Sequence, residues 1–338
     1  FEYDNSVDSV EEFNLNSTWS DKSFVRQILS YEIYDTTGTP GCHAEPVHLQ
    51  QNGQFHSVAL FIEQTDKRLV EREGLDPRGA LYKMFNGLTS SGSGIEKKTR
   101  KWENNSDLAA LVSGVARRTV PSLERFMFDN VDLPAVINYI ATTVLIHDCD
   151  HVYKNHYLYR DSEGDGEWRF LPWDKDLTLG RNYSTVYGVL NDIMTADVDP
   201  RSHPLYGSSN LLIKACHDSP RILDMLLRRM RTLMDTTLQA PGLPRTQRVL
   251  EQRLDDLRLL MDPDVALDKA RWGIPAYGDR TIDFHRGLSR IENQYLVPRR
   301  RHLFNTHSAS ANGIIPSSQP SGLPLVVGSV VAKPTSGR

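Results

Sequence analysis

Apolar residues recur at two different spacings along the chain, and the spacing separates predicted helices from predicted strands. In residues 21–34, apolar side chains fall at positions i, i+4 and i+7, which is the period of an amphipathic helix. Residues 133–146 are apolar nearly all round and predict a helix that is buried on every side. Residues 220–261 and 281–304 keep a helical period among many arginines. The pattern therefore predicts helices mainly after residue 130.

Short runs of strand-forming residues come in pairs that are separated by turn signals. Residues 47–50 and 55–62 flank Asn52-Gly53, the dipeptide typical of a two-residue type I′ hairpin turn. Residues 157–159 and 168–171 flank an acidic turn that contains glycine, and they predict a second hairpin. The chain thus mixes hairpins with separate helices, and its 338 residues are enough for a sizeable core.

Composition and charge exclude several classes of function. The 43 acidic residues outnumber the 39 Lys and Arg, so the net charge is −4 and gives no general attraction to nucleic acid or to an anionic membrane. The longest apolar candidate, residues 323–332, has about half the length that a membrane span requires. Cys42, Cys149 and Cys216 form no closed disulfide framework and match no zinc-binding spacing. We therefore expect neither a nucleic-acid partner nor a membrane span.

Two segments lack hydrophobic periodicity. Residues 90–107 join a Ser/Gly-rich run to a charged run, which predicts a mobile surface loop. Residues 308–338 contain seven Ser, four Pro and four Gly but no acidic or aromatic residue, a composition that cannot offset the entropy of ordering. We therefore predict one domain over residues 1–305, followed by a disordered Ser/Pro/Gly-rich tail or linker over residues 306–338.

Ionisable and amide side chains are concentrated where the chain leaves two of the predicted buried elements. Residues 147–156 follow the buried helix, and residues 172–180 follow the last strand of the second hairpin. No His-Glu-x-x-His motif and no paired Cys-x-x-Cys accompanies the histidines of the first segment. The acidic turn after residue 160 begins like a calcium-binding loop, but Pro172 stands where that loop needs a bidentate carboxylate. Neither segment is typical of a structural metal site.

Phosphoryl transfer fits these two segments better. It needs an aspartate that accepts the proton of the substrate hydroxyl, an asparagine a few residues later that holds Mg²⁺, and a second aspartate for the metal that bridges the phosphates. Asp150 and Asn155 have the same spacing as the Asp-x-x-x-x-Asn loop of protein kinases. About 20 residues later, a predicted strand ends in Trp173-Asp174-Lys175-Asp176, which supplies the second aspartate.

Several motifs occur in the order typical of one known family. They are Leu15-Asn16-Ser17, residues 21–34, Asn52-Gly53, residues 61–67, Leu81-Tyr82-Lys83, residues 150–161 and residues 171–180. Residues 299–304 match more weakly. The Trp-Asp-x-Asp block and the Asn-x-Tyr-Leu-Tyr run before it are the most specific part. Together these motifs resemble the spore-coat CotH kinase family, a set of secreted or surface-located atypical kinases.

The resemblance implies an α+β, atypical protein-kinase-like fold with two lobes and a mostly helical C-terminal part. It implies transfer of the γ-phosphate of ATP to Ser or Thr of a protein substrate, with Mg²⁺ or Mn²⁺. The implied residues are Asp150 as catalytic base, Glu63 and Lys83 for nucleotide binding, and Asn155, Asp174 and Asp176 as metal ligands. Asp174 and Asp176 are alternatives for the main ligand, and on a strand-like stretch they would share a face. Asp148 is the next candidate for the base.

The chain departs from the family pattern at its start, because the Arg- and Gly-rich stretch and the basic strand of the family are not present. We therefore expect an N-terminally truncated domain with weakened activity or none. The alternative function is a non-catalytic surface or coat protein that retains the fold. A metal-dependent hydrolase is less favoured, because no second base or nucleophile accompanies the carboxylates. The resemblance implies an extracellular or cell-surface location.

Overall fold

Nine antiparallel strands of the described chain lie between residues 13 and 192. The computed structural model describes residues 12–18, 20–151, 154–184, 189–192, 209–274, 281–309 and 313–317. The strands are β1 (Phe13–Asn16), β2 (Ala44–Gln51), β3 (Gln54–Glu63), β4 (Ala80–Met84), β5 (Ile95–Lys97), β6 (His156–Arg160), β7 (Trp168–Pro172), β8 (Arg181–Ser184) and β9 (Val189–Asp192). They form a three-stranded sheet in the order β1-β3-β2, a four-stranded sheet in the order β5-β4-β6-β7, and the β8-β9 ribbon.

Helices make up most of the remaining described residues. They are α1 (Arg26–Thr36), α2 (Lys67–Arg72), α3 (Ser106–Val115), α4 (Val120–Asn130), α5 (Leu133–Ile146), α6 (Leu211–Asp218), α7 (Pro220–Leu233), α8 (Val249–Trp272), α9 (Phe284–Arg290) and α10 (Val297–Arg301). Wider π-helical turns cover Met234–Leu238, Ile291–Leu296 and His302–Ala309, and a 3₁₀ turn covers Arg245–Gln247. Antiparallel sheets with separate helices confirm the predicted α+β class. None of the described helices has the length and apolar character that crossing a membrane requires.

The predicted hairpin around Asn52-Gly53 is confirmed. β2 and β3 pair antiparallel up to Gln51 and Gln54, and the two turn residues have φ of +54° and +74°. Positive φ at both positions is what a type I′ turn requires, and Asn-Gly adopts it with little strain. The second predicted hairpin is also confirmed, because β6 and β7 pair antiparallel along their whole length.

α5 is the central helix of the core, as its all-round apolar sequence predicts. Every residue of α5 except Pro134 is buried, and the helix packs against β7 and α7. The Asp132 carboxylate accepts the amide N–H of Ala135 at 3.0 Å and caps the first turn. His147 has φ of +50°, and the helix ends there. The predicted bounds, 133–146, are confirmed.

α1 begins at Arg26, later than the predicted start at residue 21. The Asp21 carboxylate accepts the amide N–H groups of Ser23 at 3.0 Å and of Arg26 at 2.9 Å. Phe24 has φ of +59°, which no helical residue adopts. A polar turn held by Asp21 therefore replaces the first helical turn, because a short acidic side chain competes for backbone N–H groups.

The prediction of a surface loop over residues 90–107 is wrong in part. β5 lies within this range and pairs with β4, with Glu96 opposite Lys83. α3 begins at Ser106. β5 is a three-residue edge strand with two charged residues, and short charged strands are typical of sheet edges. Because two of its three residues are charged, hydrophobic patterning does not identify β5 as a strand.

The chain continues to pack after residue 305, where the sequence predicts the end of the domain. The last π-helical turn extends to Ala309. Ile315 is only 2% exposed, and the Arg231 guanidinium of α7 donates to the carbonyl of Pro316 at 3.3 Å. An apolar side chain within the Ser/Pro/Gly-rich segment accounts for this packing. The rest of the predicted tail, residues 310–312 and 318–338, lies outside the described residues.

Candidate active site

Two loops meet beside the open end of the second hairpin, and they carry most of the predicted site residues. We call residues 147–151 and 154–155 the helix-exit loop, because they follow α5, and residues 173–180 the strand-exit loop, because they follow β7. The start of β6 lies opposite the end of β7, so the two loops emerge side by side. The amide of Trp173 donates to the carbonyl of Asn155 at 3.2 Å. The backbone therefore joins the loops directly.

A buried ion pair also joins the two loops. The Lys175 ammonium lies 2.6 Å from the Asp148 carboxylate and donates to the carbonyl of Asn155 at 2.9 Å. Both side chains of the pair are fully buried. Burial raises the pKa of Asp148, and the Lys175 charge opposes that shift. Asp148, the second candidate for the catalytic base, is therefore enclosed in a structural pair. The sequence shows Lys175 only as a residue between two aspartates.

Asp150 and Asn155 contact each other, as their spacing predicts. The Asn155 amide nitrogen donates to the Asp150 carboxylate at 2.8 Å, and the Lys154 ammonium lies 3.4 Å from the same oxygen. Burial raises the pKa of Asp150, Lys154 opposes this shift and Asp148 adds to it. The Asp150 side chain remains 26% exposed and can be reached from solvent. Asn155 has φ of +64°, a left-handed conformation that asparagine tolerates better than most residues.

Asp174 and Asp176 lie in the strand-exit loop and not on a strand, because β7 ends at Pro172. Their carboxyl groups are nevertheless within hydrogen-bonding reach of each other. Burial raises the pKa of Asp176 to about 6, and the charge of Asp174 adds to the shift. Asp174 itself has φ of +53°. The predicted strand-like stretch is absent, but the loop brings the two carboxyl groups together.

α1 and the turn before it hold the strand-exit loop from one side. The Ser20 hydroxyl donates to the Asp176 carboxylate. The amide of Asp174 donates to the Tyr31 hydroxyl oxygen at 3.1 Å, and Arg26 Nε donates to the carbonyl of Thr178 at 3.1 Å. Hydrophobic patterning places Tyr31 on the apolar face of the helix and says nothing of its hydroxyl group. Hydrophobic patterning therefore cannot indicate these supporting contacts.

Lys83, a predicted nucleotide-binding residue, lies on β4 near the strand-exit loop. Its ammonium is 5.1 Å from the centre of the Trp173 indole and 5.9 Å from that of the Tyr157 ring. Burial and the neighbouring Lys98 ammonium lower the pKa of Lys83, whereas the Glu96 and Asp174 carboxylates raise it. The structure therefore brings a partly buried cation close to the carboxylates, in the same part of the molecule.

Glu63, the other predicted nucleotide-binding residue, has a structural set of contacts. Its carboxylate lies 2.7 Å from the Arg72 guanidinium and accepts the amide N–H of His43 at 3.0 Å. The side chain is 3% exposed. These bonds tie the end of β3 to α2 and to the start of β2. Among the described contacts, none joins the Glu63 carboxylate to Asp150 or Asp174, and its role in nucleotide binding stays a prediction.

The donor set fits a cation that arrives with a nucleotide. Within the part of the chain that the structure describes, no three carboxylate, imidazole or thiol groups are arranged as a complete metal site. Mg²⁺ commonly takes one or two protein carboxylates and completes its shell with phosphate oxygens and water. Asp174 and Asp176 offer two adjacent carboxylates, and Asn155 offers an amide oxygen. Oxygen donors of this kind suit Mg²⁺ and Mn²⁺.

The family model described as CotH kinase protein matches residues 2–298, which is most of the chain. Inner spore coat protein H of Bacillus subtilis strain 168 is 27% identical over 188 residues, which make up 51% of this chain and 51% of that protein. The chain thus spans about half the length of this curated relative. Because the family model covers nearly the whole described fold, the resemblance is confirmed, and the chain belongs to the CotH kinase protein family.

Proposed function

We propose that the protein is an atypical Ser/Thr protein kinase that transfers the γ-phosphate of ATP to a secreted or surface protein. The observation that supports this function best is the meeting of two loops around one buried ammonium. One loop carries Asp150 and Asn155, and the other carries Asp174 and Asp176 beside Lys175. Phosphoryl transfer depends mainly on positioning and charge stabilisation, with little covalent work by the protein. Loops fixed to a common buried cation supply the positioning.

We further propose that the fold has the two lobes of a protein kinase, one rich in sheet and one mostly helical. The contacts of α5 support this arrangement. Its C-terminal end receives hydrogen bonds from the helical part, because the Tyr295 hydroxyl donates to the carbonyl of Leu145 at 2.7 Å. The loop that follows this end packs against the loop after β7. The candidate active site therefore adjoins both the four-stranded sheet and the C-terminal helices.

Each side chain of the site has a distinct role in the proposed reaction. Asp150 accepts the proton of the substrate hydroxyl as the hydroxyl oxygen attacks the γ-phosphorus of ATP and ADP leaves. The partial exposure of Asp150 gives the hydroxyl access. Asn155, Asp174 and Asp176 would hold Mg²⁺ or Mn²⁺, which when bound neutralises charge on the ATP phosphates. The Lys83 ammonium adds a further positive charge near the same carboxylates.

A non-catalytic coat or surface protein is the alternative function. The curated relative is named as a coat protein. In addition, Asp176 accepts a hydrogen bond from Ser20, and burial favours its neutral form, so it could serve as a structural group. Under either function we propose a location at a coat or cell surface.

Incubation of the full-length protein with γ-labelled ATP separates the two functions. We expect label on the protein itself or on a serine-rich acceptor such as dephosphorylated casein in the presence of Mg²⁺ or Mn²⁺, and none in EDTA. Asp150→Asn removes the proposed catalytic base. Asp129→Asn removes one carboxylate at an exposed position outside both loops and is its control. Absence of label with folded wild type and both metals would favour the non-catalytic alternative.

A further inference from the structure

A pocket of about 570 Å³ lies beside the edge strand β5. Five of its nine lining residues are Lys or Arg, and one is acidic. Arg78 and Lys98 pair with Asp76 and Glu96 just outside the lining, whereas Lys101 has no such partner among the described residues. The volume is in the range of pockets that bind small ligands. The lining therefore favours an anionic ligand.

The pocket combines fixed cations with an accessible cation and an accessible aromatic ring. The Arg100 guanidinium is held by Glu163 at 2.5 Å and by Glu103 at 2.5 Å, so its orientation is fixed. Lys101 forms no ion pair with any residue that the structure describes. Trp102 is 80% exposed, and the guanidinium of Arg100 lies 5.6 Å from the centre of its ring. A large apolar ring left in water beside cations is typical of a ligand-binding surface.

A row of charged side chains connects the pocket to the candidate active site. The Lys98 ammonium, which lines the pocket, lies 3.1 Å from the Glu96 carboxylate on β5. Glu96 is the cross-strand neighbour of Lys83 on β4. Lys83 in turn lies beside Trp173 at the start of the strand-exit loop. An extended polypeptide that enters the active site therefore has a charged surface to follow toward the pocket.

We propose that this pocket binds a phosphoserine of the protein substrate, so that the protein prefers substrates in which a neighbouring serine is already phosphorylated. This inference rests on the proposed kinase function, because phosphoserine would be the product of an earlier transfer. A phosphate group carries close to two negative charges and three acceptor oxygens, which suits clustered Arg and Lys side chains. A glutamate side chain offers one charge and two oxygens, and it binds the same cluster more weakly. The result would be sequential phosphorylation of serine-rich segments.

Equilibrium binding without ATP tests the pocket separately from catalysis. Three versions of one serine-rich peptide are compared by calorimetry, with serine, glutamate or phosphoserine at one position. We expect the phosphoserine peptide to bind at least tenfold more tightly than the other two. Lys101→Glu should weaken its binding about tenfold, whereas Arg118→Glu, an equal charge reversal at an exposed position outside the pocket, should not. Equal affinity for the three peptides, or equal effects of the two variants, would overturn the inference.

A transfer assay on the same peptides distinguishes failure of the inference from failure of the proposed function. We expect Lys101→Glu to raise KM for the phosphoserine peptide toward the KM of the unphosphorylated peptide, whereas Arg118→Glu should change neither value. Transfer without preference for the phosphoserine peptide would refute the pocket assignment alone. Tight binding of the phosphoserine peptide with no transfer by wild type would instead refute the kinase function.

Discussion

Replacement of Lys175 by methionine removes the buried cation between the two site loops and keeps most of the side-chain volume. The variant leaves the Asp148 carboxylate buried without its partner, and it also removes the hydrogen bond to the carbonyl of Asn155. At 2.6 Å and an effective dielectric constant of about 20, the pair attracts by about 6 kcal/mol, which desolvation of both ions largely offsets. Loss of one partner of a buried pair typically lowers the free energy of unfolding by about 3–5 kcal/mol. We expect Lys175→Met to fall in this range.

Urea unfolding followed by circular dichroism measures this change, and a double-mutant cycle assigns it to the pair. Asp148→Asn alone should also destabilise, because it leaves the buried Lys175 ammonium unpaired. The double variant should lose less than the sum of the single losses, because it leaves no unpaired buried charge. The exposed pair of Lys214 and Asp218 is the matched control, and Lys214→Met should lower stability by about 0.5 kcal/mol or less.

The same reasoning predicts a pH dependence for Lys175→Met. Without the ammonium, the pKa of buried Asp148 rises further above its unfolded value, so stability is retained at pH 4 and is lost progressively as the pH rises. The variant should therefore be closer to wild type at pH 5 than at pH 8. Strictly additive single losses, or a loss no larger than that of Lys214→Met, would refute a structural role for the pair.

Three further predictions follow from other parts of the structure. Ile315→Ala should lower the free energy of unfolding by about 2 kcal/mol, whereas Ile314→Ala, at a neighbour that is 47% exposed, should change it by less than about 0.5 kcal/mol in the same urea assay. Burial lowers the pKa of His217 to about 4. The contribution of neutral His217 to folding stability is therefore fully present above pH 6.5 and is lost as the pH falls toward 4. His217→Gln should reduce that fall by about 1–2 kcal/mol, measured by unfolding at pH 7 and pH 4.5. ATP should raise the melting temperature only with Mg²⁺ or Mn²⁺. Of Asp174→Asn and Asp176→Asn, the variant that removes the main metal ligand should abolish that rise. An equal rise in EDTA would contradict the metal assignment.

Local signals in the sequence were enough to place several elements of the fold. The bounds of α5 follow from an apolar run that begins after a capping aspartate, Asp132, with Pro134 in the first turn. The first hairpin follows from Asn52-Gly53, because that dipeptide favours the turn conformation by itself. α1 was predicted to start too early because the apolar period runs on through the turn that Asp21 holds. Patterning cannot distinguish a helical turn from a polar turn with the same spacing.

The candidate site was predictable where its geometry is local in the chain. Asp150 and Asn155 meet within one loop, so their spacing alone indicates the contact. The pairing of Lys175 with Asp148 depends on the packing of two loops that are far apart in sequence, and no local pattern reports it. The role of Glu63 in nucleotide binding follows from the family resemblance alone. The sequence does not show that the Glu63 carboxylate pairs with the Arg72 guanidinium.

Phosphate transfer by Asp150→Asn is the most direct test of the proposed reaction. The substitution keeps the size of the side chain and removes its ability to accept a proton, which is needed in the transition state and not in the ATP complex. We predict that calorimetry in Mg²⁺ shows ATP binding within about twofold of wild type, while transfer of labelled phosphate falls by about 100-fold or more. Wild-type transfer by folded Asp150→Asn would contradict the assignment of Asp150 as the catalytic base.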